Sequence, residues 1–194
     1  MLCALPVWGT VLIVIAAVLV VIILIVLFVK AYNNLVLGKE KVKNGWAQID
    51  VQLRRRFDLI PNLVETVKGY ATHEKELLEN VTKWRNQAEN AQTPAEAIKM
   101  NNELSGALSR LLVTVENYPD LKANQNFLKL QSELSDVENK ISFARQFYND
   151  TVQKYNYLVK RFPSNIVAGM FHFQEESFFE VDPAIRQTVP QVRF

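Results

Sequence analysis

The sequence predicts an all-α protein: a single N-terminal transmembrane helix, an antiparallel four-helix up-down bundle of long helices, and an extended aromatic C-terminal tail. Three observations predict it. No Asp, Glu, Lys or Arg precedes Lys30, and from Val7 to Val29 nearly every residue is aliphatic. Beyond that run the apolar residues recur at helical period. After Phe162 the period stops, and Pro163, Pro183 and Pro190 arrive together with five phenylalanines.

Residues 7–29 come first. At about 1.5 Å per residue they make roughly 34 Å of helix, enough to cross a hydrocarbon core about 30 Å thick. A helix also pairs the backbone N–H and C=O groups that lipid cannot satisfy. The competing reading is a cleaved signal peptide. Met1 to Trp8 holds no Lys or Arg, the apolar run is too long, and Phe28-Val29-Lys30-Ala31-Tyr32 offers no A-x-A cleavage pattern, so the segment reads as a permanent anchor after a short lead of residues 1–6. Lys30, Lys39, Lys41, Lys43, Arg54, Arg55 and Arg56 outweigh Glu40 and Asp50 on the C-terminal flank. By the positive-inside rule the bundle then lies in the cytoplasm and the N-terminus outside, in a single-pass membrane protein. Cys3 is the single cysteine, so it forms no intrachain disulfide, and it sits on the wrong side of the apolar run for a lipobox. It reads as a bystander thiol, with acylation as the alternative.

Residues 30–162 form the bundle domain. Its first helix, about 31–60, carries Leu35, Val42, Ile49, Trp46, Leu53 and Ile60, and no proline separates it from the apolar span. Asn33, Asn34 and Gly38 are the residues that would loosen this junction. Pro61 suits the first position of a second helix, about 61–91, whose stripe is Leu63, Val67, Tyr70, Leu77, Val81, Trp84 and Ala88. The third helix, about 94–117, opens with Thr93-Pro94-Ala95-Glu96, a capping box in which Thr93 accepts from the N–H three residues on while Glu96 reaches back. The fourth, about 125–162, has a coiled-coil column at Phe127, Leu134, Ile141, Tyr148, Tyr155 and Phe162, with Leu130, Val137, Ala144, Thr151 and Leu158 beside it. Tyr148 and Tyr155 need partners for their hydroxyls there. Four such stripes joined by short breaks can be buried only against one another.

The tail, residues 163–194, holds Phe171, Phe173, Phe178, Phe179 and Phe194. A segment so apolar is not a composition that stays disordered. It packs in extended form along the bundle, or crosses to a neighbouring subunit or to lipid.

The chemistry-bearing residues are few. All the charge follows the apolar run, 22 basic against 20 acidic residues, which argues against a nucleic-acid partner. His73-Glu74-Lys75-Glu76 is followed by Leu77 where a zinc-protease motif needs a second His, and His172 is the only other imidazole. No glycine-rich phosphate loop is present, and the sequons at Asn80 and Asn149 fall inside predicted helices. The expectation is no enzyme activity, no cofactor and no metal. Arg54-Arg55-Arg56 is the one concentrated charge. It reads either as a solvated face with one ion pair at the core's rim, or as an anion or subunit contact suited to guanidinium forks. Lys30, Lys39, Lys41 and Lys43 lie nearer the span and suit acidic lipid headgroups.

These residues also carry a resemblance. Tyr32-Asn33-Asn34-Leu35-Val36, the run from Trp46 to Leu53, and Arg54-Arg55-Arg56-Phe57-Asp58-Leu59-Ile60-Pro61-Asn62-Leu63 continuing to Tyr70 closely resemble the LemA family. So do Glu116-Asn117-Tyr118-Pro119-Asp120-Leu121-Lys122-Ala123, Phe127-Leu128 and Phe162-Pro163-Ser164-Asn165-Ile166. The resemblance implies a bacterial membrane protein with an N-terminal anchor and long antiparallel helices, without an established catalytic activity or assigned site residues. A relative acting in magnetosome formation implies a part in organising membrane, and association with a membrane metalloprotease implies envelope quality control. Two functions follow as expectations. One is a homo-oligomer that shapes the bilayer, using Phe171, Phe173, Phe178 and Phe179 as contacts. The other is an adaptor for a membrane protease or another envelope protein, using Arg54, Arg55 and Arg56.

Overall fold

The computed structural model describes residues 7–71 and 73–179, and every regular element among them is helical. Cys3 and the rest of residues 1–6, and the tail from residue 180 with Pro183, Pro190 and Phe194, lie outside the described residues. Six helices follow in order: α1 (Val7–Lys68), α2 (Lys75–Glu89), α3 (Pro94–Val115), α4 (Pro119–Lys122), α5 (Gln125–Lys160) and α6 (Ser164–Met170). They belong to two compact units. Among the described residues, one joins the chain up to Val42 with Thr151–Glu176, and the other joins Lys43–Asp150 with residues 177–179.

The break expected at Pro61 is absent, because α1 runs through it to Lys68. Proline lacks the N–H that would bond the carbonyl of Phe57. In the second unit Arg85 Nε on α2 donates to that carbonyl at 3.3 Å, and the guanidinium is held in turn by Asn86 Oδ1 at 3.0 Å and Glu89 Oε2 at 2.8 Å. Leu63 and Val67 continue the buried stripe of Leu53, Phe57 and Ile60, so extending the helix buries more apolar surface than ending it. The second helix consequently starts at Lys75 instead of residue 61. Proline within a helix costs about 3 kcal/mol relative to alanine. Pro61→Ala is therefore expected to raise the thermal midpoint followed by circular dichroism. Arg85→Met should cost about 1 kcal/mol in the natural chain and less beside Pro61→Ala, where the helix supplies its own donor to Phe57. Strictly additive effects would show that the Arg85 bond contributes nothing.

The third helix begins as expected, with Thr93 Oγ1 accepting from the Glu96 N–H at 3.2 Å. The returning bond differs: Glu96 Oε2 accepts from the N–H of Gln92 at 3.0 Å, one residue before the cap. α2 and α3 pack on each other through Leu78, Val81 and Ala88 on one side and Leu104, Ala107, Leu108 and Leu111 on the other. Asn124 caps α5, its Oδ1 accepting from the N–H groups of Asn126 at 2.9 Å and Phe127 at 3.1 Å.

Along α5 the seven-residue column is buried at Phe127, Ile141, Tyr148 and Tyr155, half-buried at Leu134 and exposed at Phe162. In the second unit Gly45 lets the backbone and ring of Tyr148 approach α1, where an added Cβ would stand 3.5 Å away. In the first unit Gly38 does the same for Tyr155, with 3.1 Å to Cδ2. Gly38, expected to loosen a junction, is thus a helical residue that admits an aromatic ring. The two hydroxyls differ. Tyr148 donates to the carbonyl of Ser177 at 3.0 Å, while the buried Tyr155 oxygen has no hydrogen bond.

The loss of helical period after Phe162 is corrected by α6. Ser164 Oγ, just past Pro163, bonds the carbonyls of Leu158 at 2.6 Å and Arg161 at 2.9 Å, and the chain turns into a new short helix. Seven residues are too few to display a period, which is why the sequence pattern did not announce it. The helix ends in a Schellman motif: Phe173 N–H bonds the Ala168 carbonyl at 2.9 Å, and His172 takes a left-handed φ of 57°.

Candidate functional site

In the first unit, the apolar part of α1 is long and apolar enough to cross a membrane, and none of its most apolar stretch is buried. Where the run meets its first charge, aromatic rings gather. Phe171 lies 4.7 Å from Tyr32 and 6.1 Å from Phe28 between ring centroids, and Phe173 lies 6.0 Å from Tyr32. The Schellman turn aims both phenylalanines at α1. Lys30, Lys39 and Lys41 are exposed on the same stretch of α1. Beyond, Asn156 brackets the backbone of Glu176, accepting from its N–H at 2.9 Å and donating to its carbonyl at 2.8 Å.

The second unit repeats that device: Asn149 accepts from the Phe179 N–H at 2.8 Å and donates to its carbonyl at 3.1 Å. An asparagine amide carries both an acceptor oxygen and a donor NH2 group, so it can substitute for a neighbouring strand. Phe179 is buried beside Trp46 at 6.2 Å, under the Arg145 guanidinium at 4.5 Å, whereas Phe178 is exposed. Asn156 does not stand out in the sequence, and Asn149 does so only as a sequon, which says nothing of this role. Only their seven-residue spacing on a heptad helix could have drawn notice.

The arginine triplet divides. Arg54 is exposed and pairs with Asp50 at 3.0 Å, Arg55 is exposed, and Lys43 is exposed on the same helix. Arg56 turns inward, 5% exposed, with Nη1 3.2 Å from Glu138 Oε2. Nη1 makes no hydrogen bond. Burial lowers the Arg56 pKa, Glu138 opposes that shift, and the like charge of Arg145 adds to it. Burial likewise lowers Arg145, with Glu138 opposing. Two guanidiniums thus share one carboxylate. Arg56 is removed from any exposed contact face, and Glu138 and Arg145 are the partners that periodicity alone did not single out.

Between α1 and α5 the second unit exposes an apolar strip. Phe143, 73% exposed, and Phe147, one turn on, stand beside Val51, with Gln48, Gln52 and Lys140 around them. A groove of about 690 Å³ lies elsewhere in this unit, floored by Leu63, Leu108 and Leu112 and rimmed by Ser105, Ser109, Ser132 and Ser135. His73 and His172 are both exposed. Among the described residues no three His, Cys, Asp or Glu side chains are grouped to hold a metal ion.

Comparison with known proteins matches the sequence to one family. The family model of LemA matches residues 45–194. Protein LemA of Metamycoplasma hominis is 25% identical over 167 residues, covering 84% of this chain and 75% of its own length. Magnetosome protein MamQ 2 of Paramagnetospirillum magneticum is 22% identical over 179 residues, and Magnetosome protein MamQ of Magnetospirillum gryphiswaldense 23% over 179. Each of those alignments covers 79% of this chain and 66% of the relative. With the matched segment taking in most of the chain, from the start of the Trp46 run through the arginine triplet and beyond, the protein belongs to the LemA family.

Proposed function

We propose that this protein is a non-enzymatic, single-pass membrane protein that self-associates into a homo-oligomer and thereby organises the bilayer around it. The observation that carries the proposal is the exposed strip of Val51, Phe143 and Phe147, an apolar face of the kind that marks a protein contact on a surface otherwise rich in charge. In the second unit, pairings that rise along α1 from Gly45 to Arg56 fall along α5 from Tyr148 to Glu138, which supports an antiparallel four-helix arrangement of α1, α2, α3 and α5 there. Such an arrangement presents the α1 and α5 faces side by side for a second copy. The relatives named magnetosome proteins support a membrane setting. The bracketing of Glu176 and Phe179 by asparagines supports an extended tail held to its own chain. By the positive-inside rule the second unit lies on the cytoplasmic side of the inner membrane.

The full chain solubilised in mild detergent is expected to sediment as a homo-oligomer, and Val51→Glu with Phe143→Glu to reduce it to monomer while leaving its helicity unchanged. A monomer of the natural chain at micromolar concentration, in nanodiscs as well as detergent, would overturn self-association. A reproducible crosslink to a membrane protease, lost in Arg54→Glu with Arg55→Glu, would replace the oligomer by an adaptor.

A further inference from the structure

The helix α6 carries large apolar residues on its outward side as well as its inward one. Ser164, Val167 and Ala168 are buried, while Ile166 and Met170, one turn apart on the opposite side, are exposed, Met170 by 61%. Phe162, just ahead of the helix, and Phe171, just behind it, are exposed as well. The inward side is mostly apolar, as for any packed helix, but Ile166 and Met170 stand on the outward side where a helix in water normally carries polar residues.

Within the same unit the position of α6 is set by contacts with α1. Gly38 stands against Tyr155 and Leu158, so α5 ends, at Lys160, shortly beyond that level. Phe171 touches Tyr32 and Phe28. The helix is therefore held beside residues 28–38, which rise about 15 Å and straddle the first charge after the apolar run. The bilayer's polar headgroup zone begins at that level, a layer on the order of 5–8 Å deep on each side. Arg161 and Lys30 supply exposed cations there, and Tyr32, Phe171 and Phe173 are aromatic side chains of the kind that settle at the interface.

We propose that α6 is a membrane-docking helix, inserting Ile166, Met170 and the flanking Phe162 among the headgroups and upper acyl chains of the leaflet from which α1 emerges. The docking rests on the reading of residues 7–29 as a membrane span. A lipid surface fits this face better than a second protein would, because Phe171 and Phe173 join it without a break to an α1 segment whose own side chains are exposed along its whole apolar length. An interfacial helix needs an apolar side, nearby cations and a depth, and all three are present. A single span can tilt and rotate freely. A second attachment at the leaflet surface would set its rotation.

The test uses the full chain in phosphatidylglycerol and phosphatidylethanolamine vesicles, with Cys3→Ser removing the natural thiol. Leu19→Cys, Ile166→Cys and Met170→Cys each receive a bimane label, quenched by doxyl lipid or by aqueous iodide. These positions are exposed, so the substitutions leave the packing intact. The expected result is about twofold quenching of all three labels by doxyl lipid and none by iodide, as for an interfacially buried helix. Iodide quenching at 166 and 170, with Leu19 still quenched by lipid, would overturn the docking and leave the span. Protection of 166 and 170 from both quenchers would overturn it in favour of a protein cover. Iodide quenching at Leu19 would overturn the span and the docking together.

Discussion

Tyr155→Ala is expected to cost about 3–5 kcal/mol of stability, the range for removing a large buried aromatic ring. Its ring is fully buried and fills the space that Gly38 leaves open, and α1 has no side chain there to collapse into the void. Tyr155→Phe should be neutral or slightly stabilising, since the hydroxyl it removes is buried without a hydrogen bond. Burial, with the nearby charge of Glu176 adding, raises the Tyr155 pKa above its ordinary value. The neutral phenol is thus favoured in the folded state. Its contribution is complete below about pH 10, where the unfolded side chain ionises, and is lost as pH rises through the higher folded value. The natural protein should therefore lose stability relative to Tyr155→Phe above about pH 10. Thermal melts in nanodiscs measure all three. A cost under about 1 kcal/mol for Tyr155→Ala would mean that the ring is not packed as described.

Glu138→Gln is expected to destabilise the second unit by about 2–3 kcal/mol, below the about 3–5 kcal/mol that breaking a fully buried pair costs, because Glu138 itself is 45% exposed and water screens part of the loss. Arg56 would remain almost fully buried, charged, and facing Arg145 without a carboxylate between them. Replacing both partners, Arg56→Met with Glu138→Leu, should recover most of the loss, since apolar side chains of similar volume need no counter-charge. Urea unfolding of the full chain in nanodiscs, followed by circular dichroism, reads these differences. If Glu138→Gln stayed within about 0.5 kcal/mol of the natural chain, the carboxylate would not be the partner of Arg56.

Some features were legible because they are local. Val7 to Val29 is apolar at every turn, so helix and membrane affinity follow from composition. Thr93-Pro94-Ala95-Glu96 encodes a helix start within four residues. The columns of α5 are periodic enough to show Phe127, Ile141, Tyr148 and Tyr155 as core.

Other features depend on groups far apart in the chain. Pro61 is a helix starter by its own chemistry, and it lies mid-helix because the freed Phe57 carbonyl finds Arg85, 28 residues from the acceptor. Gly38 looks like a weak point until Tyr155 is placed over it. Arg56 continues the seven-residue column of Leu35, Val42 and Ile49, so its inward phase is legible in the sequence, whereas Glu138 as the carboxylate that meets it is not. The tail's phenylalanines promised burial without naming a partner. Composition and period thus settle that the long segments are helical and which of their sides is apolar, since these depend on near neighbours along the chain. Which polar atom rescues a missing donor, which ring fills a glycine's space and which apolar side stays uncovered depend on distances across the fold, and only the packed helices set those distances.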